Sequence, residues 1–155
     1  YLLAEAANGR SLAACAGWIE EAEGAASSLI KGQALAYMLG SERYRAAAGG
    51  LKTFGQVAIE RTPGSLQLEA FFTRPEARGQ GLAQRLIEAH LARVRDADYT
   101  PQRAQIQLLS NNAGARRAYE RAGFALVAEA WTDDPALDAY LPVRGRILME
   151  RWLAD

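Results

Sequence analysis

Arg74-Pro75-Glu76-Ala77-Arg78-Gly79-Gln80-Gly81-Leu82-Ala83 is the stretch on which the reading of the fold turns. It follows a strand-like run over residues 65–73. It precedes Leu82, Leu86, Leu91 and Val94, which recur at a helical period as far as about Asp96. The order is therefore strand, glycine turn, helix. In such a unit the leading N–H groups of the helix have no partner in the chain, and the positive end of the helix dipole lies at the same point. A phosphate binds there. Gly79 and Gly81 let the backbone approach without side chains in the way, and the small Ala83 permits tight packing where the helix begins. Taken alone, glycines after a strand are more often simple turn residues.

Downstream, Pro101 closes the connection and residues 104–110 read as a strand. Asn112 can cap a helix that runs to Ala122 and stops at Gly123. Residues 124–130 and 146–152 read as closing strands, separated by a polar loop containing Asp133-Asp134-Pro135. Upstream, Leu12, Ala16, Ile19 and then Leu29 and Ile30 fall at helix-like spacing. The expectation for residues 1–50 is thus two helices, the first capped by Ser11. Residues 34–39 suit either helix or strand, and Gly49-Gly50 is expected to break the chain. Residues 54–61 and 65–73 are expected to be two strands joined by a hairpin turn at Thr62-Pro63-Gly64. In the second, Leu66, Leu68, Ala70 and Phe72 would share one face, with Gln67, Glu69 and Phe71 on the other.

The 155 residues suit one domain with a core that needs no disulfide or structural metal. Lys plus Arg and Asp plus Glu are equal at 18 each, so there is no overall basic field to draw the protein to nucleic acid or an anionic membrane. A single Cys15 forms no internal disulfide, and one histidine leaves few ligands for metal catalysis. A reducing, cytoplasmic setting fits, and no apolar run reaches the roughly 18 residues of a membrane span. The chain starts at Tyr1 without Met, so residues upstream of it are left open.

The quoted stretch resembles the acetyl-CoA signature of the GNAT superfamily of N-acetyltransferases: Arg or Gln, two residues, Gly, one residue, then Gly or Ala. Here those positions are Arg78, Gly81 and Ala83. The segment from Asn112 through Ala113, Tyr119-Glu120 and Gly123-Phe124 resembles the family's second signature. The resemblance spans about residues 54–152. It implies an α/β (α+β) fold, a mixed and mostly antiparallel sheet flanked by helices and split by an acyl-CoA cleft. It also implies one domain over 1–155, with a helical acceptor-side region at 1–50 and an acetyl-CoA-binding core at 54–152.

Carried over residue by residue, the resemblance implies that Phe71, Phe72 and Thr73 offer backbone hydrogen bonds to the pantetheine arm and thioester carbonyl. Arg78, Gly79, Gln80, Gly81, Leu82, Ala83 and Gln84 would hold the pyrophosphate, Asn112 would contact the cofactor, and Tyr119 would protonate the departing thiolate. A phenol suits that last task, because at neutral pH it holds its proton and can give it to a thiolate whose conjugate acid titrates near 8.5. Amide formation needs a neutral amine, and Glu69 is the candidate base, directly or through water, with a solvated strand face as the plain alternative. Relatives that use a Glu five positions before the Asn have Gln107 as their counterpart here, which cannot be a base. The implied partners are acetyl-CoA and a primary amine of unknown identity, with no metal, nucleic acid or membrane and with a homodimer left open.

His90 reads as structural, Cys15 as a small core residue on an Ala-rich helix, and Asp133, Asp134 and Asp138 as a solvated loop. Two other readings compete. A dinucleotide-binding oxidoreductase is suggested by Gly79-Gln80-Gly81 but finds Gln84 where its third glycine belongs. An acyl-CoA sensor without turnover would keep the fold, and the presence of Tyr119 argues against it.

Overall fold

The structure, a computed structural model, describes residues 1–20, 26–95 and 100–153. Its strands are β1 (Leu2–Glu5), β2 (Ser11–Ile19), β3 (Leu66–Thr73), β4 (Arg103–Leu109), β5 (Ala125–Trp131) and β6 (Gly145–Trp152). Its helices are α1 (Ser27–Gly55), α2 (Leu82–Arg95) and α3 (Ala113–Arg121). Asp96, the expected end of α2, lies outside the described residues. The strands form one mixed sheet in the order β1-β2-β3-β4-β6-β5, in which every neighbouring pair is antiparallel except β3 with β4.

The parallel pair fixes the shape of the molecule. β3 and β4 are joined only through Leu66 with Ala104, Gln67 with Gln105 and Leu68 with Ile106, and past that point they part. The expected split of the sheet is therefore present, and it falls between these two strands. The expected alternation along β3 holds only to Glu69. Between Ala14, opposite Phe72, and Ala16, opposite Glu69, the single residue Cys15 faces both Ala70 and Phe71. This is a β-bulge, with Ala70 at φ 53°. It inverts the phase, so that Phe71 packs against the core and Phe72 turns outward.

The core lies between α2 and the sheet. Leu86, Ile87 and Leu91 of the helix meet Leu66, Leu68, Ile106 and Met149 of the strands, all buried. Burying side chains of this size contributes about 1.5–3 kcal/mol each.

Three expectations for the first half of the chain are corrected. Residues 11–19 are a strand, not a helix capped by Ser11, because β2 hydrogen-bonds on both sides, to β1 and to β3. Its buried positions are the small Ala13, Cys15 and Ala16. The first 50 residues thus hold two strands and the front of a long helix. A kink at Gly40 (φ 73°, ψ 163°), where the backbone is not helical, divides that element into two helical parts, and the second runs straight through Gly49-Gly50, where a break was expected. Residues 34–39 are helical. Helix α1 also occupies residues 54 and 55, so 54–61 is not a strand; irregular chain leads on to β3. A turn closes at Thr62-Pro63-Gly64, with Ser65 N–H donating to Thr62 O, but the antiparallel partner of β3 is β2.

Cys15 is buried as expected, though on a strand, and burial pushes its thiol up to about 12. His90 is buried on α2, with Nε2 3.2 Å from Cys15 O. Burial lowers its pKa below the ordinary value of 6.5. The unfolded chain therefore takes up a proton near pH 6.5 while the folded one does not, so the stability linked to this group is present above that pH and is lost as pH falls. Thermal melts between pH 7.5 and 5.5 should show the wild type losing more stability than His90→Gln.

Candidate active site

Where the sheet opens, β3 delivers the chain into the glycine loop. Arg74 anchors the exit, its N–H donating to Leu12 O at 2.8 Å and its Nε–H to Ser11 O at 2.6 Å. One 3-10 turn, Pro75–Ala77, follows and buries Ala77. Gly79 and Gly81 then adopt φ of 77° and 72°, in the left-handed region that only glycine enters freely. α2 begins with Arg85 N–H donating to Gly81 O at 3.1 Å. Among the described residues, none of the N–H groups of residues 79–84 has a partner in the protein. These donors and the positive end of α2 coincide, as an anion site requires.

The loop forms one wall of a cleft of about 940 Å³, and α3 forms the other. Of the residues expected to hold the cofactor, Phe71, Phe72, Thr73, Arg78, Gly79, Gly81, Leu82, Ala83, Gln84 and Asn112 line it. Gln80 does not; its side-chain amide turns back to Glu76 O at 3.3 Å. Asn112 sits on the rim and caps α3, its Oδ1 accepting from Ala115 N–H at 3.1 Å. Sequence reasoning passed over Ala77, Gly114, Ala115, Arg117, Ala118 and Arg121, which also line the cleft. The signal for most of them was the helical stripe 114, 117, 118, 121 beside Asn112 and Tyr119, whose small members let α3 come close.

Tyr119 projects from α3 into the cleft lining. It is 5% exposed, and its ring centroid lies 5.1 Å from that of Phe71 at an interplanar angle of 51°. Its hydroxyl has no hydrogen-bond partner among the described residues. Burial, with a smaller contribution from the Cys15 thiol, pushes the phenol well above its usual pKa of 10. Tyr119 and the glycine loop therefore share one cavity.

Glu69 does not line that cavity. It lies on β3 just before the bulge, with Oε1 2.7 Å from Lys31 Nζ and Oε2 3.3 Å from an Arg61 guanidinium nitrogen. Gln107 donates from Nε2 to Ile59 O at 2.8 Å and holds the chain ahead of β3. In the loop before β6, Arg144 grips Asp138 through two contacts of 2.8 and 2.6 Å. Asp134 accepts from Ala136 N–H at 2.9 Å and from Gln56 Nε2 at 2.8 Å. Among the described residues no three His, Cys, Asp or Glu side chains are grouped to hold a metal, and no helix is long and apolar enough to cross a membrane.

The model of the acetyltransferase (GNAT) domain matches residues 18–134. A GCN5-related N-acetyltransferase from Kribbella flavida superposes over 97% of this chain and 66% of its own, with a TM-score of 0.59 at 14% identity. A ribosomal-protein-alanine N-acetyltransferase from Brucella melitensis superposes over 97% of this chain and 67% of its own, with a TM-score of 0.57 at 13% identity. The chain thus spans about two thirds of the length of these solved relatives, which share its fold. The match of the domain model, together with a sheet split at the bulge of β3 above the glycine loop, shows that the chain belongs to the GNAT acetyltransferase family.

Proposed function

We propose that this chain, as a single domain over residues 1–155, transfers an acetyl group from acetyl-CoA to a primary amine by direct attack. The observation that carries the proposal is the run of N–H groups at residues 79–84 without a partner among the described residues, in a loop that lines a cleft whose other wall presents Tyr119. The donors suit a diphosphate. Because β3 leaves β4 after Leu68, its Phe71–Thr73 edge has no strand partner on that side and can accept and donate along an extended pantetheine arm, Thr73 O once Arg78 Nε, 3.4 Å away, lets it go. The amine nitrogen bonds to the carbonyl carbon, the C–S bond breaks, and the thiolate takes the Tyr119 proton. No acyl-enzyme and no metal are required. The protein supplies position, carbonyl polarisation and proton transfer.

The proton of the attacking amine passes to Glu69, directly or through water. Since Lys31 and Arg61 engage its two oxygens, Glu69 must release one contact or act through a water molecule.

The test is thiol release from acetyl-CoA with and without a panel of amines. Amine-dependent release supports transfer. Tight acetyl-CoA binding with no release under any amine would favour the sensor reading. A pH consequence follows from Tyr119. Its raised pKa keeps the phenol protonated beyond the usual value of 10, so kcat should show no falling limb between pH 8 and 10. A decline centred in that interval and absent in Tyr119→Phe would show the phenol titrating near its ordinary value and contradict its raised pKa.

A further inference from the structure

On the sheet face that carries Trp18, Gln67 and Gln105, opposite the side packed on α2, three cations gather around two carboxylates. The pairing of these charges is uneven. Glu69 is taken by Lys31 and Arg61. Glu20 accepts from Ser27 N–H at 2.8 Å and Ser27 Oγ at 2.7 Å, with Arg61 3.9 Å away. Arg146 is left with no acceptor for its guanidinium among the described residues. It is partly buried over the Phe54 ring, 5.5 Å from its centroid, repelled by Arg61 and attracted by Glu69. Burial also lowers its pKa. A partly desolvated guanidinium with no carboxylate is costly to keep, and its planar donors match a carboxylate two at a time.

Its place in the fold gives that vacancy a meaning. Arg146 pairs with Leu109, past the point where β3 and β4 separate, and so stands at the open end of the sheet with the Phe71–Thr73 edge. Beside it, Phe54 also lines a small apolar recess of about 220 Å³ with Ala47, Leu51 and Tyr140. We propose that the acceptor is a primary amine that also carries a carboxylate, an apolar amino acid, whose carboxylate pairs with Arg146 while its side chain lies along Phe54. This rests on the acetyltransferase reading above.

The test compares L-phenylalanine with phenethylamine, which lacks only the carboxylate, in the thiol-release assay. It also measures binding of 3-phenylpropionate, which lacks only the amine. The wild type should favour L-phenylalanine by at least about tenfold in kcat/KM, a ratio that Arg146→Gln should collapse and Arg146→Lys retain in part. The melting temperature of Arg146→Gln should not fall, which keeps misfolding apart from lost recognition. Equal or better use of phenethylamine, or a preference that survives Arg146→Gln, would overturn the proposal. If neither amine is acetylated yet 3-phenylpropionate binds the wild type and not Arg146→Gln, the carboxylate site stands and the transferase reading falls. If 3-phenylpropionate binds both equally, the site falls as well.

Discussion

Gly81→Glu should abolish acetyl-CoA binding while leaving the fold intact. A Cβ built at Gly81 meets nothing within 4 Å, so the new side chain has room, but it projects from a loop that lines the cleft. It brings a negative charge to the place where a diphosphate must sit. The φ of 72° also strains any non-glycine residue, pulling the amides out of convergence. Hydrogen bonds to a charged group contribute about 1.5–3 kcal/mol each. Losing two of them lowers affinity by about 100-fold or more, before repulsion is added. Calorimetric titration checks this, and Gly81→Ala is the comparison: it carries the backbone strain without the charge, so it should show the hydrogen-bond loss alone and the charged variant a further loss on top of it. Undiminished affinity in Gly81→Glu would remove the loop from the site.

Tyr119→Phe should act on the other quantity. The ring is buried and packed on Phe71, so phenylalanine keeps the contacts, and the acetyl-CoA Kd should change less than about threefold. What disappears is the proton donor to the thiolate. General acid catalysis contributes about 10²–10⁴ in rate, and kcat should drop by a factor in that range if chemistry limits turnover. Single-turnover measurement with saturating acetyl-CoA separates the chemical step from product release. An unchanged rate would take Tyr119 out of the mechanism.

The segment from the glycine loop to Phe124 was legible in the sequence because its structure is decided locally. The positive φ of Gly79, Gly81 and Gly123 and the Asn112 cap are written in single residues. Most of the first 65 residues were not, apart from the helix through Leu29 and Ile30 and the turn at Thr62-Pro63-Gly64. β2 is a strand because β1 and β3 hold both of its edges, which no window of sequence shows, and its Ala-rich composition obscures the period of two. Helix α1 continues through Gly49-Gly50 although each glycine costs about 1 kcal/mol there relative to alanine. Ala46, Ala47, Ala48 and Leu51 flank the pair with strong helix formers. The bulge at Ala70 likewise depends on register with β2, so the turn of Phe71 toward Tyr119 could not be read from alternation. Arg146 went unremarked for a related reason. Its place at the open end of the sheet depends on β6 crossing to pair with β4, and its lack of a hydrogen-bond acceptor among the described residues on where Glu69 and Glu20 find their partners.

The loop amides are the centre of the account, and amide-resolved NMR during titration with coenzyme A observes them directly. The N–H resonances of residues 79–84 should shift together, saturate at one equivalent and become slower to exchange with solvent. Shifts confined to other parts of the protein, with those resonances unmoved at saturation, would contradict it.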